Sequence, residues 1–471
     1  MRYIAAIGLE IHAELLTNTK LFCGCENSFG GEANTRCCPV CAGFPGAVGV
    51  LNKEALYLAA KAGFITDCTV CPYSAFDRKN YFYPDLPKAY QITQQRHPIC
   101  KGGKIEINGK PIRIDNIHLE EDAGKLLHGD TMSIIDYNRC GVPLIEVVTK
   151  PDMSDADEAV RFVEELALRL RYARVCDGKM EQGSLRVDVN VSVAPEDSKT
   201  MGTRTEIKNL SSLKSVKKAI EYEINRQTNA LERGQDILCE TRRYDEDLGI
   251  TISMRQKESG TDYRYFPEPD ITPVMLEPSE IQEIKASLPE MPDVRYRRYT
   301  NEFGLAHEEA RILVSNPEIS DYYELVCEGA GCYKKAASLI LVGLGRLFNE
   351  YGGSVDNLRF PGCELSRLSM LWQEEKVSAQ SAMKILEILF LEGGSADAIA
   401  EKHNLLICFD LSIAEQVIED VIKDNPDAVE DYTAGKNKAF GYLMGRAVAA
   451  LGKNTDPARV KALLQKKLQT Y

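Results

Sequence analysis

The run Leu185-Arg186-Val187-Asp188-Val189-Asn190-Val191-Ser192-Val193 constrains the fold of this chain most. Every odd position is apolar and every even position is polar. A period of two requires a strand, because successive side chains leave a strand on opposite faces. One face is buried, and Arg186, Asp188 and Asn190 line up on the other. Leu9-Glu10-Ile11-His12-Ala13-Glu14 repeats the pattern and aligns Glu10, His12 and Glu14. Arg204-Thr205-Glu206-Ile207-Lys208 does so again. Carboxylates, a histidine and cationic groups held on rigid strands suit a metal and phosphate site. A solvated sheet face has the same alternation, so the pattern alone leaves both readings open.

Strand and turn signals dominate residues 1 to about 292. Lys104–Ile114 reads as a hairpin closed by a type I′ turn at Asn108-Gly109. A helix is expected after Ser154, whose hydroxyl caps it while Asp157 completes a capping box. Its apolar stripe is Ala159, Val163, Leu166 and Leu170. A second helix runs from about Leu213 through Val216, Ile220 and Ile224, with Gly234 as its stop. This mixture predicts an α+β class with a largely antiparallel sheet rather than a regular βαβ alternation. Prolines 267, 269, 273 and 278 mark a boundary. Beyond Pro292 helical patterns take over: Glu302–Ala310, Lys334–Tyr351, Ser366–Phe390, Val417–Lys423, Tyr432–Leu451 and Pro457–Leu468. The last three predict a small all-helical bundle. The resulting division is 1–292, 293–408 and 409–471.

Two thiol pairs stand close together, Cys23-Gly24-Cys25 and Cys38-Pro39-Val40-Cys41. Four thiolates on two tight turns can converge on a tetrahedral structural zinc, and such a site has no open position for catalysis. Cys37 is adjacent, but the CPxC spacing favours Cys38 and Cys41. The other reading is a set of free thiols. The 15 cysteines are an odd number spread along the chain, and Met-Arg-Tyr runs straight into a strand pattern. A reducing cytoplasm is expected. No stretch of 18 apolar residues occurs, so no membrane span is expected.

The net charge of −13 argues by itself against a nucleic-acid partner. Its distribution argues the other way. Residues 433–471 hold eight Lys and Arg against one acid, Asp456, giving +7 on a body of −20. A basic tail on an acidic body fits either a polyanion-binding module or a solvated helical face. The chain has no GxxxxGK[ST] loop, no GxGxxG after a strand and no GxSxG elbow. A nucleotide, if bound, binds outside those frameworks. Three dense polar runs remain: Phe76–Asp85, His118–Lys125 and Asp262–Asp270. Each reads as a solvated or aromatic-anchored loop. The second, with three adjacent acids, also suits Mg²⁺ bound with a nucleotide phosphate.

These runs, with Ile7–His12, Gly141–Glu146, Lys179–Arg186 and Glu206–Leu210, resemble in order the B subunit (GatB) of the glutamine-dependent aspartyl/glutamyl-tRNA amidotransferases. Asn425–Tyr432 with Gly435-Lys436 resembles that family's tail. The resemblance spans essentially the whole chain. It implies a cradle domain that binds ATP and Mg²⁺, a helical domain, and a tail domain contacting tRNA. It implies phosphorylation of the side-chain carboxylate of Glu-tRNA(Gln) or Asp-tRNA(Asn). Ammonia from the partner glutaminase (GatA), delivered through a channel, then displaces phosphate, and a third protein (GatC) wraps the pair. It places Glu10, His12 and Glu121 at the Mg²⁺ site, and makes Asp188 and Glu206 candidates to complete that site or to orient bound water. Lys79 and Arg186 are candidates to face phosphates or the substrate carboxylate. Cys23, Cys25, Cys38 and Cys41 resemble the zinc-containing members. Many members carry a histidine just before the Asp-Tyr-Arg-Tyr-Phe run; here that position is Thr261. A non-catalytic RNA-binding zinc protein and a stand-alone carboxylate kinase are the competing readings.

Overall fold

The computed structural model describes residues 2–129, 131–256, 263–328, 330–407, 411–433, 436–452 and 457–469. Thr261, Asp262, Gly435, Lys453 and Asp456 lie outside them. The chain forms two compact units, Met1–Pro292 and Asp293–Tyr471.

The first unit is built on a ten-stranded sheet, and the class is α+β. The Tyr3–Glu14 strand lies at its centre. It pairs antiparallel with Leu185–Pro195 on one side and with Pro143–Thr149 on the other. Thr205–Lys208 extends the sheet beyond Leu185–Pro195, and Lys110–Glu121 extends it beyond Pro143–Thr149. One pair is parallel, Thr205–Lys208 with Glu240–Asp245. The 20-residue helix Leu213–Glu232 makes that connection.

The alternation falls as the sequence requires. Val187, Val189 and Val191 are at most 2 % exposed. Full burial of a side chain of this size contributes about 1.5–3 kcal/mol. Ile7, Leu9 and Ile11 join them in one core with Ala159, Val163, Leu166 and Leu170 of the Ala156–Tyr172 helix. That helix is capped by Asp155, whose side chain accepts from Glu158 N–H; Ser154 instead bonds the Glu158 carboxylate. The hairpin turn is as expected, with φ +52° at Asn108 and +79° at Gly109.

The Lys110–Glu121 strand contains a bulge. Asn116 pairs with Val148 and Ile114 with Thr149, so Asp115 is unmatched. A smaller sheet joins Tyr73–Asn80 to Tyr90–His97 and to the Phe266-Pro267 strand. Two of the dense sequence runs thus become strand neighbours, Phe266 opposite Arg78. Arg78 fastens them, with its Nε 2.6 Å from Glu268 Oε2 and its Nη2 2.9 Å from Asp270 Oδ2.

The second unit is helical. Glu302–Ala306 is not helix, and the nearby helix is His307–Val314. Ser366–Phe390 divides into Gly362–Gln373 and Ala379–Glu392. Helices Pro292–Asn301, Pro317–Cys327 and Ala396–Lys402 escape a periodicity reading because they are short. One core gathers Tyr299, Tyr323, Leu344, Leu368 and Leu386. A separate core of Ile418, Leu443, Val460 and Leu464 holds together Leu411–Asp424, Asn437–Leu451 and Pro457–Leu468. No described helix is long and apolar enough to cross a membrane.

Candidate functional site

The polar face of the large sheet is assembled by strand register. His12 lies opposite Glu146 on one neighbour and Arg186 on the other. Glu10 lies opposite Asp188, and Glu146 opposite His118. Two donor trios result, each with ligand atoms within 4.8 Å of one another: His12, Glu120 and Glu146, and Glu10, Asp188 and Glu206.

In the first trio His12 Nε2 is 3.3 Å from Glu120 Oε1 and 3.5 Å from Glu146 Oε2. His118 Nε2 approaches Glu146 Oε2 at 3.3 Å. Burial opposes the imidazolium of His12, but the two carboxylates outweigh it and push its pKa up to about 10. Burial likewise opposes ionisation of Glu146, yet His118 and His12 hold its pKa well below the usual range. Glu120 Oε2 is buried with no hydrogen-bond partner. A buried orphan carboxylate oxygen is costly and is what a cation would satisfy.

In the second trio Asn190 Nδ2 donates to Glu10 Oε1 at 3.0 Å, and Thr241 Oγ1 to Glu206 Oε2 at 2.8 Å. Lys208 Nζ bonds Asp188 and lies 3.3 Å from Glu206 Oε1. Burial first, then the charges of Glu146 and Glu206, raise the pKa of Glu10. Glu10 and His12 are successive residues on the same face of one strand, so the trios adjoin.

Besides Lys208, two further cations meet this face. Lys79 lies over the rings of Tyr263 at 5.3 Å and Tyr81 at 5.9 Å. Burial opposes its charge, but Glu120 and Glu146 hold it above the ordinary lysine value. Arg186 is committed to Asp122, Nη2 to Oδ2 at 2.8 Å. Glu14 sits beside that pair. Burial and the Asp122 charge push its pKa up to about 7 against the pull of Arg186 and Arg139. A carboxyl raised above its unfolded value of 4.5 penalises folding fully above pH 7, and the penalty fades as pH falls towards 4.5. Glu14→Gln is therefore expected to stabilise the protein at pH 8, by on the order of 1 kcal/mol. Melting curves from pH 5 to 8 should show that gain shrinking towards pH 5; a pH-independent difference would contradict the assignment.

Glu121 is not with His12. Its carboxylate faces the other way, 2.5 and 2.7 Å from Lys88 Nζ and 3.0 Å from Ile92 N. Glu120 takes the position expected for it. Sequence reasoning also missed Glu146 and His118, although an acid inside the apolar run Pro143–Thr149 was a signal.

The four cysteines converge on the far side of Glu121. Their sulfurs lie within 4.8 Å of one another, and Cys41 Sγ is 4.0 Å from those of Cys25 and Cys38. A hydrogen bond from Cys23 depresses the Cys41 pKa to about 4 against burial, with help from Cys38 N–H and Lys20. Cys37 Sγ turns away to the Asn34 carbonyl. Gly43 closes the second knuckle at φ +69°, where a Cβ would lie 3.0 Å from Lys88 N. The set is chemically suited to zinc.

The GatB/GatE catalytic domain family matches residues 5–282, and the GatB domain family matches residues 321–468. The chain belongs to the GatB family. It is 48% identical over 474 residues to the B subunit of the aspartyl/glutamyl-tRNA(Asn/Gln) amidotransferase of Ruminiclostridium cellulolyticum, covering 99% of this chain and 98% of that one. The protein of the same description from Caldicellulosiruptor bescii is 45% identical over 478 residues, with both chains fully covered. Both donor trios and the cysteine cluster fall inside the segment matched by the GatB/GatE catalytic domain.

Proposed function

We propose that this GatB-family chain activates the side-chain carboxylate of Glu-tRNA(Gln), Asp-tRNA(Asn) or both with ATP, for amidation by ammonia. The observation that supports this reading best is the pair of adjoining donor trios, with Lys79 beside the carboxylates of the first. A carboxylate is a poor electrophile. Attack of its oxygen on the γ-phosphorus, with release of ADP, yields an acyl phosphate. Attack of ammonia on the acyl carbon then expels phosphate and leaves the amide. Phosphoryl transfer needs positioning and charge neutralisation more than covalent help from the protein.

His12, Glu120 and Glu146 would hold one Mg²⁺, and Glu10, Asp188 and Glu206 a second. When bound, Mg²⁺ neutralises phosphate oxygens. Lys79, on its aromatic platform, presents a fixed positive charge to a phosphate or to the substrate carboxylate. Arg186 acts at one remove, by holding Asp122. Cys23, Cys25, Cys38 and Cys41 would hold a structural Zn²⁺. The basic tail would contact the tRNA backbone, where charge and shape outweigh base readout. A partner glutaminase, GatA, would supply ammonia through a shielded passage, with GatC joining the two in the cytoplasm.

The test is amidation by the chain co-assembled with GatA and GatC, given ATP, Mg²⁺, glutamine and either Glu-tRNA(Gln) or Asp-tRNA(Asn). Gln or Asn should appear on tRNA only with ATP. An assembled complex that binds tRNA but never amidates would favour the RNA-binding reading.

A further inference from the structure

Beside the cysteine cluster lies a buried charge that the proposed chemistry does not use. Lys20 is 0% exposed, among the largest fully buried side chains of the described residues. A buried ammonium needs a partner. Lys20 makes no ion pair with a carboxylate among the described residues. Its Nζ instead donates to Cys41 Sγ at 3.6 Å and to the Tyr137 carbonyl at 3.3 Å. The anion it meets is therefore a sulfur of the cluster. Four thiolates around Zn²⁺ carry two net negative charges, and the ammonium stands against one of the four.

The Tyr137 carbonyl belongs to a segment stitched to the cysteine loop throughout. Asn34 Oδ1 accepts from Tyr137 N–H at 2.8 Å, Asn138 Oδ1 accepts from Arg36 N–H at 2.8 Å, and Cys140 Sγ donates to the Cys41 carbonyl at 3.2 Å. The same segment supplies Arg139, whose Nε lies 3.4 Å from Asp122 Oδ2, the atom that Arg186 grips.

We propose that Lys20 is a positioning residue of the four-cysteine centre. Its ammonium offsets one of the centre's negative charges and ties the Cys41 sulfur to the Tyr137 carbonyl. The centre and the 137–142 segment are thereby held as one piece. This rests on the reading that the cysteines hold zinc. Lys20 is no ligand, since an ammonium has no lone pair to give; it acts through the sulfur. Partners of this outer kind typically change metal affinity about 10- to 100-fold.

The experiment uses the full-length chain as wild type, Lys20→Met and Lys20→Arg, each loaded with Zn²⁺ or Co²⁺. Zinc affinity is read by competition with a chromophoric chelator. The Co²⁺ form is read by its sulfur-to-metal charge-transfer bands. Lys20→Met, which keeps the length and loses the charge, should bind zinc about 10- to 100-fold more weakly and shift those bands. Lys20→Arg should fall between it and wild type. Melting adds a sign test. Metal-free Lys20→Met should be at least as stable as metal-free wild type, and the order should reverse with zinc. A purely structural lysine would lower both. If Lys20→Met does not fold, Lys20→Gln, which keeps a donor but no charge, replaces it. Wild-type affinity and an unshifted cobalt spectrum in the neutral variant would overturn the proposal alone. A wild-type chain that binds neither metal would overturn it together with the zinc reading.

Discussion

Glu120→Gln is expected to lower amidation by about 100-fold or more in the assembled complex, at saturating ATP and tRNA. The change removes charge from the first trio, where Glu120 faces His12 at 3.3 Å and keeps a buried unbonded oxygen. Glutamine hydrolysis and tRNA binding should survive, because neither uses this oxygen. Glu121→Gln, one residue along, should behave differently. It strips the mostly buried Lys88 ammonium of its carboxylate and so attacks the fold, at a cost of about 3 kcal/mol. The paired readout is turnover against melting temperature. Wild-type turnover in Glu120→Gln would remove that residue from the site, and with it the assignment of the first trio.

The second large effect concerns the cysteines. The purified chain is expected to hold about one zinc, and the double change Cys38→Ser with Cys41→Ser should abolish it. Zinc binding by such quartets carries about 10–16 kcal/mol of apparent free energy at neutral pH, much of it expressed as folding. The variant should therefore melt at least several degrees lower, and its cysteine loop should become protease-sensitive first. Cys37→Ser, by contrast, should keep zinc, since that sulfur points to the Asn34 carbonyl. A double variant with full zinc content, or a metal-free wild type of equal stability, would refute a structural role.

How far the sequence could be read depended on whether neighbouring residues shared one period. In Leu185–Val193 and Leu9–Glu14 a clean alternation identified the polar face, and Glu10, His12 and Asp188 follow from it directly. The four cysteines were legible because ligand spacing is local. Glu206 was legible from its short strand, but its nearness to Glu10 depends on register across two intervening pairings. The choice between Glu120 and Glu121 needed parity, and parity could be had from Ile117 and Leu119: both are core residues at 0% exposure, so position 120 faces away from them. Glu146 and His118 belonged to runs dominated by apolar residues, where an ionisable group reads as an exception until its partners are seen. Lys79 could be named from its surroundings, but its seat over Tyr263 joins segments far apart along the chain. The short helices of the second unit lacked enough turns to show a period.

The bulge at Asp115 has a consequence for how this strand can vary. Before it, Ile112 and Ile114 point inward; after it, Ile117 and Leu119 do. The strand is thus two half-strands in opposite phase, one closing the Lys104–Ile114 hairpin and one presenting Glu120. Substitutions within either half leave that phase untouched. A deletion of one residue between the bulge and Glu120 would bring Glu121 to the position that faces His12 and drive Glu120 into the place of Leu119, whereas an insertion of one residue would bring Glu120 to the position that faces Lys88. A substitution in this segment disturbs one contact, whereas a change of length re-aims every side chain beyond it.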